Sequence, residues 1–408
     1  MLLIDKKSEG KTMLNKKYKP TAGILYFGTI MLGISMSILA QYKADFASLW
    51  HTDLAGVLNV IAASGLGGII AALITGQFSD HFGRKSSAVI GHVIQSLYYF
   101  GLLFSPNLTV AYIMALIGGG FGNGFINAGC SPTLIEIFPK NSSVANLMTK
   151  FMISIGQFLL PIFILISSTT GAGYRGIFIS AGAVYIVLAI ILLFLPFPKP
   201  GEDIKKSNNE TLKKQKAKLN LGSVALILIG YTSTAVFFLW LNTFQELAIQ
   251  EGIKQPSVLQ SVYAVAAALS VLFNSYIVKH GVKESTILTW YPICSAIALL
   301  LALIINQGWI LYIVSAMIGF FAAGGLFQLA AALLAKMYPN LKATAMAAAG
   351  FMSMLANMTI VTFASVIVKN TGANSQKWIL VMNIVVCMFG ALLGVLVKKE
   401  ATKIYRED

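Results

Sequence analysis

The stretch GIFISAGAVYIVLAIILLFLPF, Gly176 to Phe197, contains no charged side chain. A helix rises about 1.5 Å per residue, so this run crosses the roughly 30 Å of hydrocarbon in a bilayer. A helix apolar on every side has no stripe to offer water and needs lipid or a large core around it. Runs of this kind recur twelve times: Thr21–Tyr42, Leu54–Phe78, Ser87–Phe104, Thr109–Phe138, Ser143–Ser168, Gly173–Phe197, Leu221–Leu247, Ser257–Val278, Ser285–Ile305, Trp309–Tyr338, Ala343–Val368 and Trp378–Val397. Only 11% of the chain is charged and 57% is hydrophobic, whereas a soluble domain carries about 25% charged residues. The chain is therefore read as an all-α integral membrane protein with twelve transmembrane helices.

The basic residues set its orientation. With the amino terminus inside, 25 of the 30 lysines and arginines fall on the inner segments. Lys43, Arg175, Lys254, Lys369 and Lys377 remain outside. Inner loops of membrane proteins carry just such an excess, so both termini are expected in the cytosol and the protein in the cell membrane. The same placement accounts for the net charge of +15 without a nucleic-acid partner. The first span follows a basic tail but is too long for a cleaved signal core, and is expected to stay.

Chemistry other than transport finds little support. Cys130, Cys294 and Cys387 all lie inside spans and suggest no disulfide framework. The four histidines lack metal-ligand spacing. Neither a phosphate-binding glycine loop nor a nucleophile motif is present, so no enzyme activity, metal or cofactor is expected. A receptor would need a signalling domain, and a channel would need a re-entrant filter segment; neither is visible.

The segment Lys199–Asn220, KPGEDIKKSNNETLKKQKAKLN, is the one long polar insert. It divides the chain into a tail (1–20), a first six-helix bundle (21–197), a central cytosolic loop (198–220), a second bundle (221–397) and a last tail (398–408). The halves are related. IGGGFGNGFINAGCSPTLIEIFP from Ile117 and IGFFAAGGLFQLAAALLAKMYP from Ile318 both open on Ile-Gly, run through small residues and close on an aromatic-Pro pair. Both segments run from outside to inside, so the repeat is parallel, about an axis along the membrane normal.

Between the second and third spans lies GQFSDHFGRK, Gly76 to Lys85. Gly76 and Gly83 permit close approach and a sharp turn. Asp80 sits near the start of the third span, where the helix dipole favours negative charge. Arg84 offers a planar fork of donors suited to a carboxylate or to helix-end carbonyls, and Lys85 adds a second base. This loop resembles the signature loop of the major facilitator superfamily, and its place, the span count, the long central loop and the repeat extend the resemblance over nearly the whole chain. The resemblance implies two pseudo-symmetric six-helix bundles and a latch at Asp80 and Arg84 that holds the outward-open state. The second half carries a worn copy, NSYIVKHGVKES, with Val278 and Val282 at the Asp80 and Arg84 positions, so an asymmetric latch is expected.

Other fragments narrow the likeness. PTLIEIFP (Pro132–Pro139) is similar to the end of span four in sugar-porter-like and fucose-permease-like members, and GYRGIF (Gly173–Phe178) to the opening of span six. The fifth span has Gly156 and Pro161 but not the Gly-Pro-x-x-Gly-Gly run associated with drug antiporters.

Ionisable residues inside a bilayer are functional candidates by default. Glu136 is either a proton-coupling acid or an ion-pair partner of Arg84 or Lys140. Lys150, about 10 Å into span five, either meets an anionic substrate or snorkels to the interface. Glu246 sits near the outer end of span seven, and no carboxylate occupies the midplane. Among uncharged groups, Asn123 and Asn127 share a helix face; Gln157, Tyr231, Thr232, Gln328 and Asn357 fall near mid-depth. Trp240, Asn242 and Gln245 lie where the resemblance places contacts near an outer gate. Such amides either bind solute or bridge helices, at about 0.6 kcal/mol each. His92 and Gln95 in span three fit neither pattern.

These residues lead to the expectation of a monomeric permease that moves a small polar organic solute, sugar-like or an organic acid. It would work by alternating access in membrane lipid, with protons as the coupling ion and uptake as the direction. Efflux of a drug or metabolite is the alternative.

Overall fold

The computed structural model describes residues 17–138, 142–198, 220–338 and 342–404. Twelve long helices run through them: α1 Lys19–Gln41, α2 Leu54–Phe82, α3 Arg84–Phe104, α4 Leu108–Ile137, α5 Ser142–Thr169, α6 Gly173–Phe194, α7 Leu221–Gln250, α8 Val258–Lys279, α9 Glu284–Ile304, α10 Gly308–Met337, α11 Lys342–Thr371 and α12 Ser375–Ile404. Eleven apolar stretches are long enough to cross a membrane, and the last, Ala345–Glu400, holds both α11 and α12. Twelve crossings put Lys17 and Ile404 on one side, here the tail side; the opposite face is the far side. Most of both tails' ends and the central polar segment, 199–219, lie outside the described residues.

The ends of the helices follow from local chemistry. Asp53 caps α2 by accepting from the Gly56 amide at 2.8 Å, and Asn107 does the same for Val110 at the start of α4. Asn220 and Ser223 form a reciprocal capping box on α7. Two boundaries differ from the sequence reading. Arg84 and Lys85 are the first residues of α3 rather than loop residues, leaving Gly83 alone as the connection. Helix α12 runs on to Ile404, so Lys398–Ile404 is helix, not tail; lysine, glutamate and alanine are good helix formers and extend the span into water.

The repeat is visible in the backbone. Gly83 joins α2 to α3 and Gly281 joins α8 to α9, and both have φ of +93°. A side chain rarely tolerates that conformation, which is why the worn second copy keeps its glycine while losing the flanking charges. Both α4 and α10 widen to a π-helix, at Ala115–Phe121 and Gly319–Ala323, each taking in the glycine of the repeated Ile-Gly pair. Such widenings recur at functional sites because they break the register of a helix.

Within the first bundle α1 packs on α5 and α3 on α4 and α6; within the second, α12 packs on α7 and α9. Across the halves α2 lies along α11 and α5 along α8. The largest buried cluster joins both halves, from Leu25 and Ile38 of α1 to Leu239 of α7 and Val361 and Ala364 of α11. In lipid this packing rests on van der Waals contact and interhelical hydrogen bonds rather than on apolar burial.

Candidate functional site

The hydrogen bonds that cross between the halves, among the described residues, gather toward the far side. Gln41 Nε2 donates to Gln260 Oε1 at 2.6 Å, and Gln245 Nε2 donates to the Gln41 carbonyl at 2.9 Å. Gln260 reaches the Gln157 carbonyl at 3.2 Å, and Ser261 the Phe158 carbonyl at 3.1 Å. Ser365 of α11 donates to the Ala55 carbonyl of α2 at 2.9 Å. At the head of this seam Lys43 is 3% exposed, 2.8 Å from Glu246 Oε2 of α7, and it also donates to the Asn242 carbonyl. The sequence reading counted Lys43 as an outer-loop base; the structure buries it in a charged contact between halves.

Toward the tail side the halves share no hydrogen bond or ion pair among the described residues, and charges pair within each half. Arg84 Nη1 donates to Asp80 Oδ1 at 2.5 Å and to Ser79 Oγ at 3.1 Å. Its Nε lies 3.5 Å from Glu136 Oε1, so α3 is clamped to the end of α4. The other partner considered for Glu136, Lys140, is outside the described residues. Asp80 is the last-turn residue of α2, not a cap of α3, and is 70% exposed. Exactly 200 residues on, Glu284 of α9 pairs with Lys336 of α10. The second half thus repeats the α3–α4 clamp with its charges exchanged, a feature hidden when the two loops are aligned on their glycines. Gly76 faces open space, with nothing within 4 Å of where a Cβ would stand.

Polar groups at mid-depth divide into two sets. Asn242, Gln245 and Gln157 belong to the closed seam; Asn242 is 1% and Gln157 4% exposed. The remainder stands on α4, α7, α10 and α11. Asn127 is exposed on α4 and donates to the Asn123 side chain and carbonyl. Tyr231 of α7 shares a hydrogen bond with Thr359 of α11 at 2.8 Å, and Thr234 shares one with Ser353 at 2.7 Å. Asn357 Oδ1 is buried without a partner, and Gln328 is half-buried on α10. Trp240 is 2% exposed and stacks on Phe244 inside the second half.

His92 and Gln95 find their place inside the first bundle. The His92 ring is fully buried with Nδ1 2.7 Å from the Ala88 carbonyl, packed against Gly28 of α1. Nearby Ser35 joins Tyr99 and Tyr185 at 2.7 and 3.0 Å. These groups tie α1 to α3 and α6. A small cavity between α7, α9, α10 and α12, lined by Thr232, Ser233 and Ser295 among others, has room for about one water.

Two repeat-related halves, bonded to each other near one face and with charges paired within each half near the other, suit a carrier. The Major Facilitator Superfamily model matches residues 21–307. The chain is 31% identical to the inner membrane transport protein YdiM of Escherichia coli K12, over 81% of this chain and 83% of that one. It is 24% identical to the quinolone resistance protein NorA of Staphylococcus aureus COL, over 72% and 76%. The crystal structure of a D-xylose–proton symporter superposes with a TM-score of 0.73 at 16% identity, covering 92% of this chain and 96% of that one. A twelve-helix chain with this repeat and these relatives is a membrane transporter and not an enzyme: it belongs to the Major Facilitator Superfamily.

Proposed function

We propose that the protein takes up a small polar organic solute, sugar-like or an organic acid, across the cell membrane as a monomer, coupled to protons, by rocking its two halves. The observation that carries this reading is the set Asn123, Asn127, Tyr231, Gln328 and Asn357, polar groups carried on spans of both halves. A path for lipophilic drugs would have little use for amides there, because each one needs a polar partner once water leaves. The charge split favours the tail side as cytosolic, which makes the bonded far side the outer one. The likeness to NorA favours a second reading, efflux, in which the same cavity loads from the inside.

Purified protein in proteoliposomes tests the proposal. An inward acid gradient should drive accumulation of a sugar or organic acid, and collapsing the gradient should abolish accumulation while leaving exchange. Accumulation only in inverted vesicles would replace uptake with efflux.

A further inference from the structure

Lys150 stands apart from the other charged side chains. Among the described residues it is the lysine, arginine or carboxylate farthest from the ends of its helix, eight residues beyond Ser142 of α5. Several other charges in the spans find opposite charges: Arg84 with Asp80 and Glu136, Glu284 with Lys336, Lys43 with Glu246. Lys150 takes part in none of these pairs and, among the described residues, in no hydrogen bond.

Its direction is fixed by its neighbours on the helix. Ser154 and Gln157, four and seven residues on, lie on the same face, and they are 8% and 4% exposed. Pro161, close to the same line, is buried too. The lipid-facing arc of α5 is elsewhere, at Phe158, Ile162, Leu165 and Ile166, each more than a third exposed. The Gln157 face is where α8 of the other half packs at the far side. Lys150 continues that face toward the tail side, where the described residues form no bond between the halves, and it is half-buried there. Asn127 stands at matching depth: it is ten residues from the tail end of α4 and Lys150 eight from that of α5, roughly 15 and 12 Å. The tail-side stretch of α4 packs on α5. One unpartnered ammonium and an exposed amide thus stand at the same level on two helices that pack together.

We infer that Lys150 is the counter-ion for a carboxylate on the transported solute, with Asn127 and Asn123 binding its hydroxyl or carbonyl groups, so that the solute is an organic acid in its anionic form. This rests on the reading that the space between the halves is the solute path. A charge with no protein partner is costly at this depth unless water or an ion reaches it, and a bound carboxylate supplies the missing charge when the cleft closes around it.

Melting temperatures of purified wild type, Lys150→Gln and Lys150→Arg, measured against matched acid and neutral pairs, test the inference. Suitable pairs are gluconate with glucitol, lactate with 1,2-propanediol, and benzoate with benzyl alcohol. At least one acid should raise the melting temperature of wild type and Lys150→Arg while its neutral mate does not, and Lys150→Gln should need at least tenfold more of it. Neutral mates that stabilise wild type and Lys150→Gln alike would overturn the anion site and leave the solute path standing. No response to any acid or neutral compound would count against both. Anionic lipid is the other source of a negative group, so the measurement is repeated in nanodiscs of phosphatidylglycerol and of phosphatidylcholine. An effect of Lys150→Gln that appears only in phosphatidylglycerol, with the response to acids unchanged, would assign the lysine to the headgroups and overturn the inference.

Discussion

Asn127 and Gln328 occupy related helices of the two halves, and neither is sealed into a bundle core. Removing an amide that binds solute leaves its partner unpaired, at about 1–3 kcal/mol. Asn127→Ala and Gln328→Ala should therefore weaken solute binding roughly 5- to 150-fold by that same range, with melting temperature little changed. Falling stability at constant affinity would mean that they only bridge helices. At this scale the sequence marked which polar residues are unusual but not which face they take. Asn242, Gln245 and Gln157 looked equivalent to Asn127, because depth follows from counting residues while direction depends on the neighbouring helix. His92 was legible only as an oddity; its partner is a carbonyl one turn back, and its space comes from Gly28 of a helix some sixty residues away. Lys43 was missed because a base just past an apolar run reads as an ordinary loop residue. Nothing short of the fold brings Glu246 to it.

At the scale of helices, the hairpins α2–α3 and α8–α9 each turn on one glycine. Gly83→Ala and Gly281→Ala force a side chain into a backbone conformation worth about 1–3 kcal/mol of strain. Each should lower the melting temperature, although no neighbour clashes at either position. Gly76, in contrast, is helical and unobstructed here, and alanine is the better helix former by about 1 kcal/mol. Gly76→Ala should keep or raise the melting temperature and yet slow transport, because the tail side must close in the other half of the cycle. Transport at the wild-type rate would remove Gly76 from that closure. The twelve spans and the motif were legible because apolar length and glycine chemistry are local. The exchanged pair Arg84–Glu136 and Glu284–Lys336 was not, since a swap of sign hides a repeat from anyone matching residue types. Glu136→Gln should leave solute exchange intact, in keeping with its place in a clamp between α3 and α4.

For the whole molecule, the Lys43–Glu246 contact weighs on the balance between the two faces. Loss of one partner from a buried ion pair costs on the order of 3–5 kcal/mol, and here that loss falls on the conformation with the far side closed. In a background lacking Cys130, Cys294 and Cys387, a cysteine at Gln157 reports on the seam through its reaction with a membrane-impermeant thiol reagent. Lys43→Ala and Glu246→Ala should each speed that reaction about tenfold or more, by the same energetic reasoning. The exchange of the two charges, Lys43→Glu with Glu246→Lys, should slow it again. Unchanged reactivity in both single variants would make the pair incidental to closure. Gly65 bears on the same balance in mechanical terms. A Cβ there would stand 2.6 Å from the Met358 amide nitrogen and 2.9 Å from its Cα, backbone atoms of the opposite half that cannot swing aside. At Gly68, one turn further in, the added carbon would meet the Met354 sulfur at an ordinary 3.7 Å. Gly65 is therefore the point where the halves fit together like two wedges with no shim between them. Gly65→Ala inserts the shim: it should prop the far side open and speed labelling at position 157, while Gly68→Ala leaves the labelling as it was.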